Sequence, residues 1–384
     1  MLDDHSLLHT LLVATVEAGA SDLHLTPGRA PTARRDGVLV AFEGTERFTP
    51  ADTERAVHAL LNADQLDELE RNRQIDFSFG IPNIGRFRVN VFRQRGSYAL
   101  ALRVIPSRIR SLAELGCPAS VYEMLTRPYG LVLVVGPTGS GKSTTLAAMI
   151  DRINATRSCH ILTIEDPVEY LHQHQVAMVN QREVGTDVAS FPEGLHAALR
   201  EDPDVILLGE MRDLESIAIA LTLAETGHLV FATLHTNDAA QALDRVIDVF
   251  PSDRRDQIQV QLASTLQGVI SQRLVPAVGG GRVAAYEMLV ATEAVRNLVR
   301  EGKSRQLRNV MIAGQNEGML TLEMDLARLA ASGIISYDVA TASSMFPREV
   351  MTLAATQRAQ LQAQATILAG QSATMANAAS VNGL

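Results

Sequence analysis

The sequence has few of the residues that characterise several common classes of protein. It contains no tryptophan and only 4% aromatic residues beside 46% hydrophobic residues, so we expect an aliphatic core. Its two cysteines, Cys117 and Cys159, can supply neither a tetrahedral metal site nor a disulfide framework. We interpret both as small buried hydrophobic residues in a protein of a reducing compartment, for which the cytoplasm is the default.

Long hydrophobic runs and excess positive charge are also missing. Apolar runs such as Leu131–Val135 are far shorter than the roughly 20 residues of a membrane-spanning helix. The amino-terminal residues are acidic where a secretory signal would be basic. The net charge of −9 argues against broad nucleic-acid binding and leaves room only for a local basic groove. The 384 residues are enough for two domains with extensions.

The clearest motif in the chain joins the apolar run 131–135 to a glycine-rich turn that carries one lysine. Its spacing fits G-x-x-x-x-G-K-[ST], the phosphate-binding loop of ATP-binding proteins. The glycines let backbone N–H groups approach phosphate oxygens, and the following helix points its positive end at them. We expect Lys142 to reach the β- and γ-phosphates and Ser143 to ligate Mg²⁺. The predicted nucleotide-binding residues are Gly136, Pro137, Thr138, Gly139, Ser140, Gly141, Lys142, Ser143 and Thr144.

Carboxylates follow two further predicted strands. The strand His160–Ile164 leads into an acidic stretch that contains Glu169, and the strand Val205–Leu208 leads to Glu210. By itself the acidic stretch could be a turn or a helix N-cap. Glu210 holds the Walker B position, which orders the hydration shell of Mg²⁺. No second acid adjoins Glu210, so the base that activates water must come from elsewhere, and Glu169 is the candidate.

A fourth predicted strand runs from His228 to His235. The two histidines are seven positions apart, so on a continuous strand they point to opposite faces and cannot chelate one ion together. Two alternatives therefore stand at this point. Each histidine contacts phosphate separately, or both histidines have a purely structural role. Helices predicted between the strands give a mostly parallel sheet that is covered on both faces and binds ligands at its carboxyl edge.

The region before the loop has a mixed pattern that predicts a small α+β domain with a helical stretch from Pro50 to Arg71. Within a predicted strand, Arg86 and Arg88 share a face, while the core face carries Phe87, Val89 and Val91. The arginines could form a solvated face, a nucleic-acid surface or a set of phosphate ligands; the acidic net charge weakens the second alternative.

The region after the fourth strand is predicted to be mainly helical, including Ser252–Leu274 and Leu320–Ser332. The glycines at 279–281 predict a hairpin turn before a strand at Val283–Leu289. Residues 351–384 are rich in alanine and glutamine and are expected to carry a helix to about Leu368 before fraying. The predicted organisation is an α+β domain at 1–107, a hinge at 108–128, an ATPase domain at 129–350 and a tail at 351–384.

Several sequence boxes, taken together and in order, resemble the secretion and type IV pilus ATPase family, and within it the twitching-motility retraction ATPases. The resemblance covers roughly residues 5–350. It is carried by the boxes Ala20–Leu25, Arg86–Asn90, Gly136–Ser143, Ile164–Tyr170, Arg200–Asp204, Gly209–Arg212, Ala224–Phe231 and Thr233–Thr236.

The resemblance implies a RecA-like P-loop NTPase domain, preceded by a small PAS-like α+β domain and followed by a helical carboxyl-terminal region. It implies that Glu169 is the general base and Glu210 the Walker B acid. His228 and His235 match the family's His box near the nucleotide. Arg88 and Arg103 match arginines that reach the phosphates, and the match at Arg110 is weaker. ATP and Mg²⁺ are the implied cofactors.

The same resemblance indicates the retraction branch. Ala294–Glu301 is similar to the family's box Ala-Ile-Arg-Asn-Leu-Ile-Arg-Glu, which is associated with retraction, and the tetracysteine zinc element of many assembly and secretion relatives is absent. The implied assembly is a homohexamer at the cytoplasmic side of the inner membrane. Its implied partners are a membrane platform protein and a second retraction ATPase, without nucleic acid. The alternatives are an assembly or secretion ATPase, a nucleic-acid translocase and a non-hydrolysing subunit.

Overall fold

The computed structural model describes residues 7–35, 37–82, 84–105 and 108–360. The tail beyond residue 360, and with it the end of the helix expected to reach about Leu368, lies outside these ranges. The chain forms two compact units. The first contains the described residues up to Ile109 together with Pro167–His172, and the second contains Arg110–Asp166 with the described residues from Gln173 onward.

The first unit is an antiparallel sheet with helices. Its sheet has the strand order β3-β2-β1-β6-β5-β4, and its core is aliphatic and phenylalanine-rich. The elements are α1 (Leu7–Glu17), β1 (Asp22–Leu25), β2 (Thr32–Arg35), β3 (Val38–Ala41), α2 (Pro50–Leu60), α3 (Ala63–Asn72), β4 (Gln74–Ile81), β5 (Gly85–Gln94) and β6 (Ser97–Ile105). The predicted α+β character is confirmed, and the PAS-like description stays a prediction.

The helical stretch expected from Pro50 to Arg71 is two helices, not one. Helix α2 ends before Leu61, whose backbone is extended, and α3 restarts behind Asn62. Asn62 Oδ1 accepts a hydrogen bond from Gln65 N, and Gln65 Oε1 accepts one from Asn62 N. The N–H groups at the start of a helix have no acceptor within that helix, and this capping box supplies acceptors for two of them. It therefore marks the start of a second helix within one continuous amphipathic pattern.

Strand β5 shows the alternation that the sequence predicts. Its core face carries Phe87, Val89 and Val91, all fully buried, whereas Arg88 between them is exposed. Arg88 lies directly opposite Arg103 in the antiparallel register of β5 and β6. Two like charges therefore face each other on the outer side of this sheet.

The second unit is a seven-stranded sheet with helices and a helical carboxyl-terminal region. It comprises α4 (Ala119–Met124), β7 (Gly130–Val135), α5 (Lys142–Thr156), β8 (His160–Glu165), β9 (Met178–Glu183), α6 (Phe191–Ala198), β10 (Val205–Leu208), α7 (Leu214–Glu225), β11 (Leu229–Leu234), α8 (Ala239–Asp248), α9 (Arg255–Thr265), β12 (Leu266–Pro276), β13 (Arg282–Val290), α10 (Glu293–Arg300), α11 (Leu307–Ala313), α12 (Leu322–Ala331) and α13 (Tyr337–Ala342). Short 3₁₀ turns flank α11 on both sides, and residues 347–360 are helical. Helix α4 lies within the predicted hinge.

The sheet of this unit has the order β13-β12-β7-β11-β10-β8-β9 and is parallel except for the β12–β13 hairpin. Every residue of β7 is buried, as expected for a strand whose faces are both covered. The predicted α/β class and the helical carboxyl-terminal region are confirmed. No helix among the described residues is long and apolar enough to cross a membrane.

The helix predicted over Ser252–Leu274 is wrong beyond Thr265. Leu266 closes α9 and is at once the first residue of β12, which pairs in parallel with β7. The predicted hairpin turn at the glycines 279–281 is correct, since β12 and β13 pair antiparallel around it. A buried hydrogen bond connects α12 to β13. Asp325 on α12 is 1% exposed and accepts this bond from Tyr286 N of β13 at 2.8 Å.

Candidate nucleotide site

The glycine-rich turn connects the buried strand β7 to helix α5. Three of its residues have positive φ angles, at +148° for Gly136, +77° for Gly139 and +89° for Gly141. A Cβ at Gly136 would come within 2.3 Å of the carbonyl oxygen of Gln272. Only glycine fits this conformation beside β12, so the sequence motif is a steric requirement of the loop.

Lys142 is the first residue of α5, and only 8% of it is exposed. Its Nζ donates to the carbonyl oxygens of Gly136 at 2.8 Å and Pro137 at 3.2 Å. The same Nζ lies 3.4 Å from Nδ1 of His235. The ammonium group is therefore held inside the loop, where a charged phosphate oxygen is a stronger acceptor than the carbonyls that bind it.

Glu210 lies immediately beyond the carboxyl end of β10. Its Oε1 is 2.6 Å from Nε of Arg212, and its Oε2 is 3.3 Å from Nε2 of His235. Partial burial by itself would raise the pKa of Glu210, but the hydrogen bond from Arg212 and the nearby His235 outweigh it and hold this pKa below the usual range. Three predicted site residues, Lys142, His235 and Glu210, thus lie in one contiguous cluster.

His228 lies at the other end of β11 from His235. Its Nδ1 is 2.9 Å from the carbonyl oxygen of Leu223, at the edge where β11 begins. A strand of this length spans about 20 Å at ~3.3 Å per residue, so the structure does not bring His228 to the loop. Because β11 begins after His228 and ends before His235, neither histidine belongs to the strand and the argument from opposite faces does not apply to them.

The predicted general base and the predicted arginines belong to the first unit. Glu169 lies in Pro167–His172, and Arg88 and Arg103 face each other across β5 and β6. Arg103 Nε donates to Asp22 Oδ1 at 3.0 Å. Burial opposes ionisation of Asp22, but hydrogen bonds from Ser21 and Arg103 lower its pKa overall. Asp22 thus partly offsets the facing like charges.

Gln272 binds the nucleotide loop, although the sequence did not identify it as a site residue. It lies on β12, is 3% exposed, and bonds to both sides of the loop. Its Nε2 donates to Ser140 O at 2.8 Å, and its Oε1 accepts from Thr145 Oγ1 at 2.7 Å. One buried amide therefore fixes the turn to the first part of α5. Because Gln272 falls in the stretch predicted as helix, no sequence signal placed it beside the loop.

We expect Gln272→Ala to weaken ATP binding about tenfold and to lower the free energy of unfolding by about 2 kcal/mol. The substitution leaves Ser140 O and the Thr145 hydroxyl buried without their partner, which carries the cost of an unmet hydrogen bond. Titration with a fluorescent ATP analogue and thermal unfolding measure the two effects.

Gln267→Ala is the matched control for this experiment. Gln267 lies on the same strand and donates to Tyr129 O at 3.0 Å, at the opposite end of β7 from the loop. We expect it to leave ATP affinity unchanged. Equal losses of affinity in the two variants would show that β12 acts only through general stability.

Comparison with known proteins places this geometry in a family. A family model described as Type II/IV secretion system protein matches residues 5–323. The type IV pilus retraction ATPase PilT of Pseudomonas aeruginosa is 48% identical over 341 residues, which are 88% of this chain and 98% of PilT. A twitching motility protein of Neisseria gonorrhoeae is 50% identical over 285 residues, 74% of this chain and 76% of the relative.

A solved structure supports the same placement. The crystal structure of the pilus retraction motor PilT with bound ADP is 49% identical to this chain and has a TM-score of 0.84. The match covers 90% of this chain and 98% of that one. Since the likeness is nearly end to end and includes the nucleotide loop, the chain belongs to the Type II/IV secretion system protein family, as a PilT-like ATP-hydrolysing motor ATPase.

Proposed function

We propose that this chain is the homohexameric motor that powers retraction of type IV pili at the cytoplasmic side of the inner membrane. The observation that carries the proposal is the nearly end-to-end likeness to PilT proteins, which the comparisons describe as pilus retraction ATPases. The retraction-associated box Ala294–Glu301 lies on and just after α10 and supports the same branch. A platform protein of the membrane and a second retraction ATPase are the proposed partners.

In this proposal the residues around the loop bind MgATP. The backbone of Gly136–Thr144 receives the phosphates, and Lys142 carries the compensating charge. The Ser143 hydroxyl and the Glu210 carboxylate are hard oxygen donors that suit Mg²⁺, which keeps several waters and needs few protein ligands. Among the described residues no cluster of three or more His, Cys, Asp or Glu side chains could hold a metal, which fits a cation that also uses phosphate oxygens. When bound, Mg²⁺ neutralises charge on the β- and γ-phosphates.

In this proposal three further residues take part in hydrolysis. Glu169 accepts the proton of the attacking water as general base. Arg88 and Arg103 act on the phosphates. Their support is the register that places Arg88 opposite Arg103 across β5 and β6, where the two like charges are only partly offset by Asp22 and can bind a further anion. His235 orients Lys142 and Glu210, and His228 has no proposed part at this loop.

Deleting the gene for this chain in its host is the test of retraction. We expect hyperpiliated cells that no longer twitch, because pilus assembly continues while disassembly loses its motor. Electron microscopy of pili and the diameter of twitching zones give the two readouts. The wild-type gene should restore both, and a gene encoding Lys142→Ala should restore neither. Cells without pili would contradict retraction and indicate an assembly motor.

A further inference from the structure

The segment between β11 and α8 carries His235, and two hydrogen bonds connect this segment and the first residue of α8 to the β12–β13 hairpin. Ser271 Oγ on β12 donates to the carbonyl oxygen of Asn237 at 3.1 Å. Ala239 N, at the start of α8, donates to Oε1 of Glu287 on β13 at 2.8 Å. The position of this segment, and of His235 within it, therefore depends on side chains of the β12–β13 hairpin.

Both anchoring residues belong to one rung of the sheet. Ser271 is the register partner of Glu287 across β12 and β13, and on its other side it pairs with Val135, the last residue of β7. Gly136 follows Val135 directly and starts the nucleotide loop. The rung thus aligns the beginning of the loop with the segment that holds His235 against Lys142 and Glu210.

Asp238 and Glu287 accept from different N–H groups at the start of α8. The N-cap residue Asp238 already accepts a hydrogen bond from Gln241 N at 2.8 Å. Glu287 instead bonds to Ala239 N, one of the first N–H groups of a helix, which have no acceptor inside it. Its bond therefore fixes the point where the His235 segment joins α8.

We propose that Glu287 is a positioning residue for ATP hydrolysis, which acts by holding Ala239 N–H and thereby fixing His235 against Lys142 and Glu210. The inference rests on the proposed place of His235 in the site. A displacement of about 1 Å in a site group can cost up to about a hundredfold in rate without any contact between the mutated residue and substrate. Loss of this anchor should therefore reduce kcat more than it changes the KM for ATP.

The charge state of Glu287 gives a readout that simple packing would not. Burial, together with the nearby charges of Asp238 and Glu323, raises the pKa of Glu287 to about 7, although the bond from Ala239 N and the charge of Arg273 lower it. Above this pKa the bond from Ala239 N is charge-assisted, so the segment is held more firmly at pH 8 than at pH 6. A glutamine keeps the acceptor oxygen but has no charge at either pH.

Steady-state ATP turnover of the full chain is measured for Glu287→Ala, Glu287→Gln and His235→Ala, and for His235→Ala combined with Glu287→Ala. We expect Glu287→Ala to lower kcat about tenfold with less than about a threefold change in KM, and Glu287→Gln to recover most of the loss. In the His235→Ala background the further loss should be less than about twofold, because two residues that act through one contact are not additive. Glu215→Ala, which removes an exposed acid from the first turn of α7, should leave kcat unchanged.

The pH profile keeps the test decisive if Glu287→Ala does not fold. The ratio of wild-type kcat to Glu287→Gln kcat should rise about threefold from pH 6 to pH 8. A constant ratio, or losses from Glu287→Ala and His235→Ala that multiply in the double variant, would overturn the proposal. A His235→Ala variant with wild-type turnover would also overturn it, whereas absence of turnover in the wild-type chain would instead refute the motor function itself.

Discussion

Lys142→Ala should reduce ATP turnover about a thousandfold, to a rate close to background. The Nζ of Lys142 is the positive charge that the loop holds at its own carbonyl groups, within 3.4 Å of His235. Removing one such preorganised charge or donor from a phosphate or oxyanion site typically costs 10²–10³ in rate. Binding of ATP should weaken as well, because the lysine interacts with ground-state phosphates. Phosphate release and titration with a fluorescent ATP analogue measure the two losses.

Lys303→Ala is the control, since Lys303 is the only other lysine in the chain. Its Nζ pairs with Glu301 Oε2 at 2.7 Å, and both side chains are more than half exposed, so the pair contributes little. Turnover should stay at the wild-type level. A Lys142→Ala protein that hydrolyses ATP within tenfold of wild type would show that the glycine-rich turn is not the catalytic nucleotide site.

Glu169→Gln should lower kcat by about 10²–10⁴ while ATP binding stays near the wild-type level. Glutamine preserves the size of the side chain but cannot take a proton from water, and loss of a general base costs this much. The variant should accumulate ATP on the protein, in contrast to Lys142→Ala, which loses binding. Single-turnover hydrolysis and filter retention of labelled ATP distinguish the two behaviours.

Glu193→Gln provides the comparison for Glu169→Gln. Glu193 is an exposed acid in the first turn of α6, and the proposed chemistry does not use it. Its substitution should leave turnover unchanged. Turnover of Glu169→Gln within tenfold of wild type would assign the base to another acid at the carboxyl end of β8, with Glu165 and Asp166 as the next residues to replace.

Local motifs were predictable because their physical requirements lie within a few residues. The glycines of the turn are needed for its local conformation, since Gly136, Gly139 and Gly141 all have positive φ angles. The alternation on β5 likewise follows from strand geometry alone. The predicted Lys142, Glu210 and His235 come together because parallel strands β7, β10 and β11 share one carboxyl edge.

Strand β12 was not predictable because the chain lacks punctuation before it. Helix α9 passes into β12 at Leu266 without an intervening loop, and the first glycine, Gly268, is already the third residue of the strand. Leu266, Val269 and Ile270 of β12 recur at i, i+3 and i+4, so the apolar pattern fits a buried helix as well as a strand. Gln272 was missed for the same reason, since its partners Ser140 and Thr145 lie more than a hundred positions away.

The edge strand β9 was also not predicted, because its sequence carries too few apolar residues to indicate a strand. Its sequence, Met-Val-Asn-Gln-Arg-Glu, is mostly polar, and it gains its strand conformation from pairing with β8. Side chains at the edge of a sheet face solvent on one side, so they carry little of the apolar signal that identifies a strand. Tertiary pairing, which the local sequence does not encode, decides the structure of this segment.

The position of β12 has a mechanical consequence. It is hydrogen-bonded to β7 on one side and, from Gly268↔Val290 to Pro276↔Arg282, to β13 on the other. A pull along these strands loads many hydrogen bonds at once in shear, and slippage by one residue would turn buried side chains to the wrong face. We therefore expect strain at the nucleotide loop to pass through β13 and the Tyr286–Asp325 hydrogen bond to α12. In a motor, the β12–β13 hairpin would couple displacement of the nucleotide loop to displacement of α12.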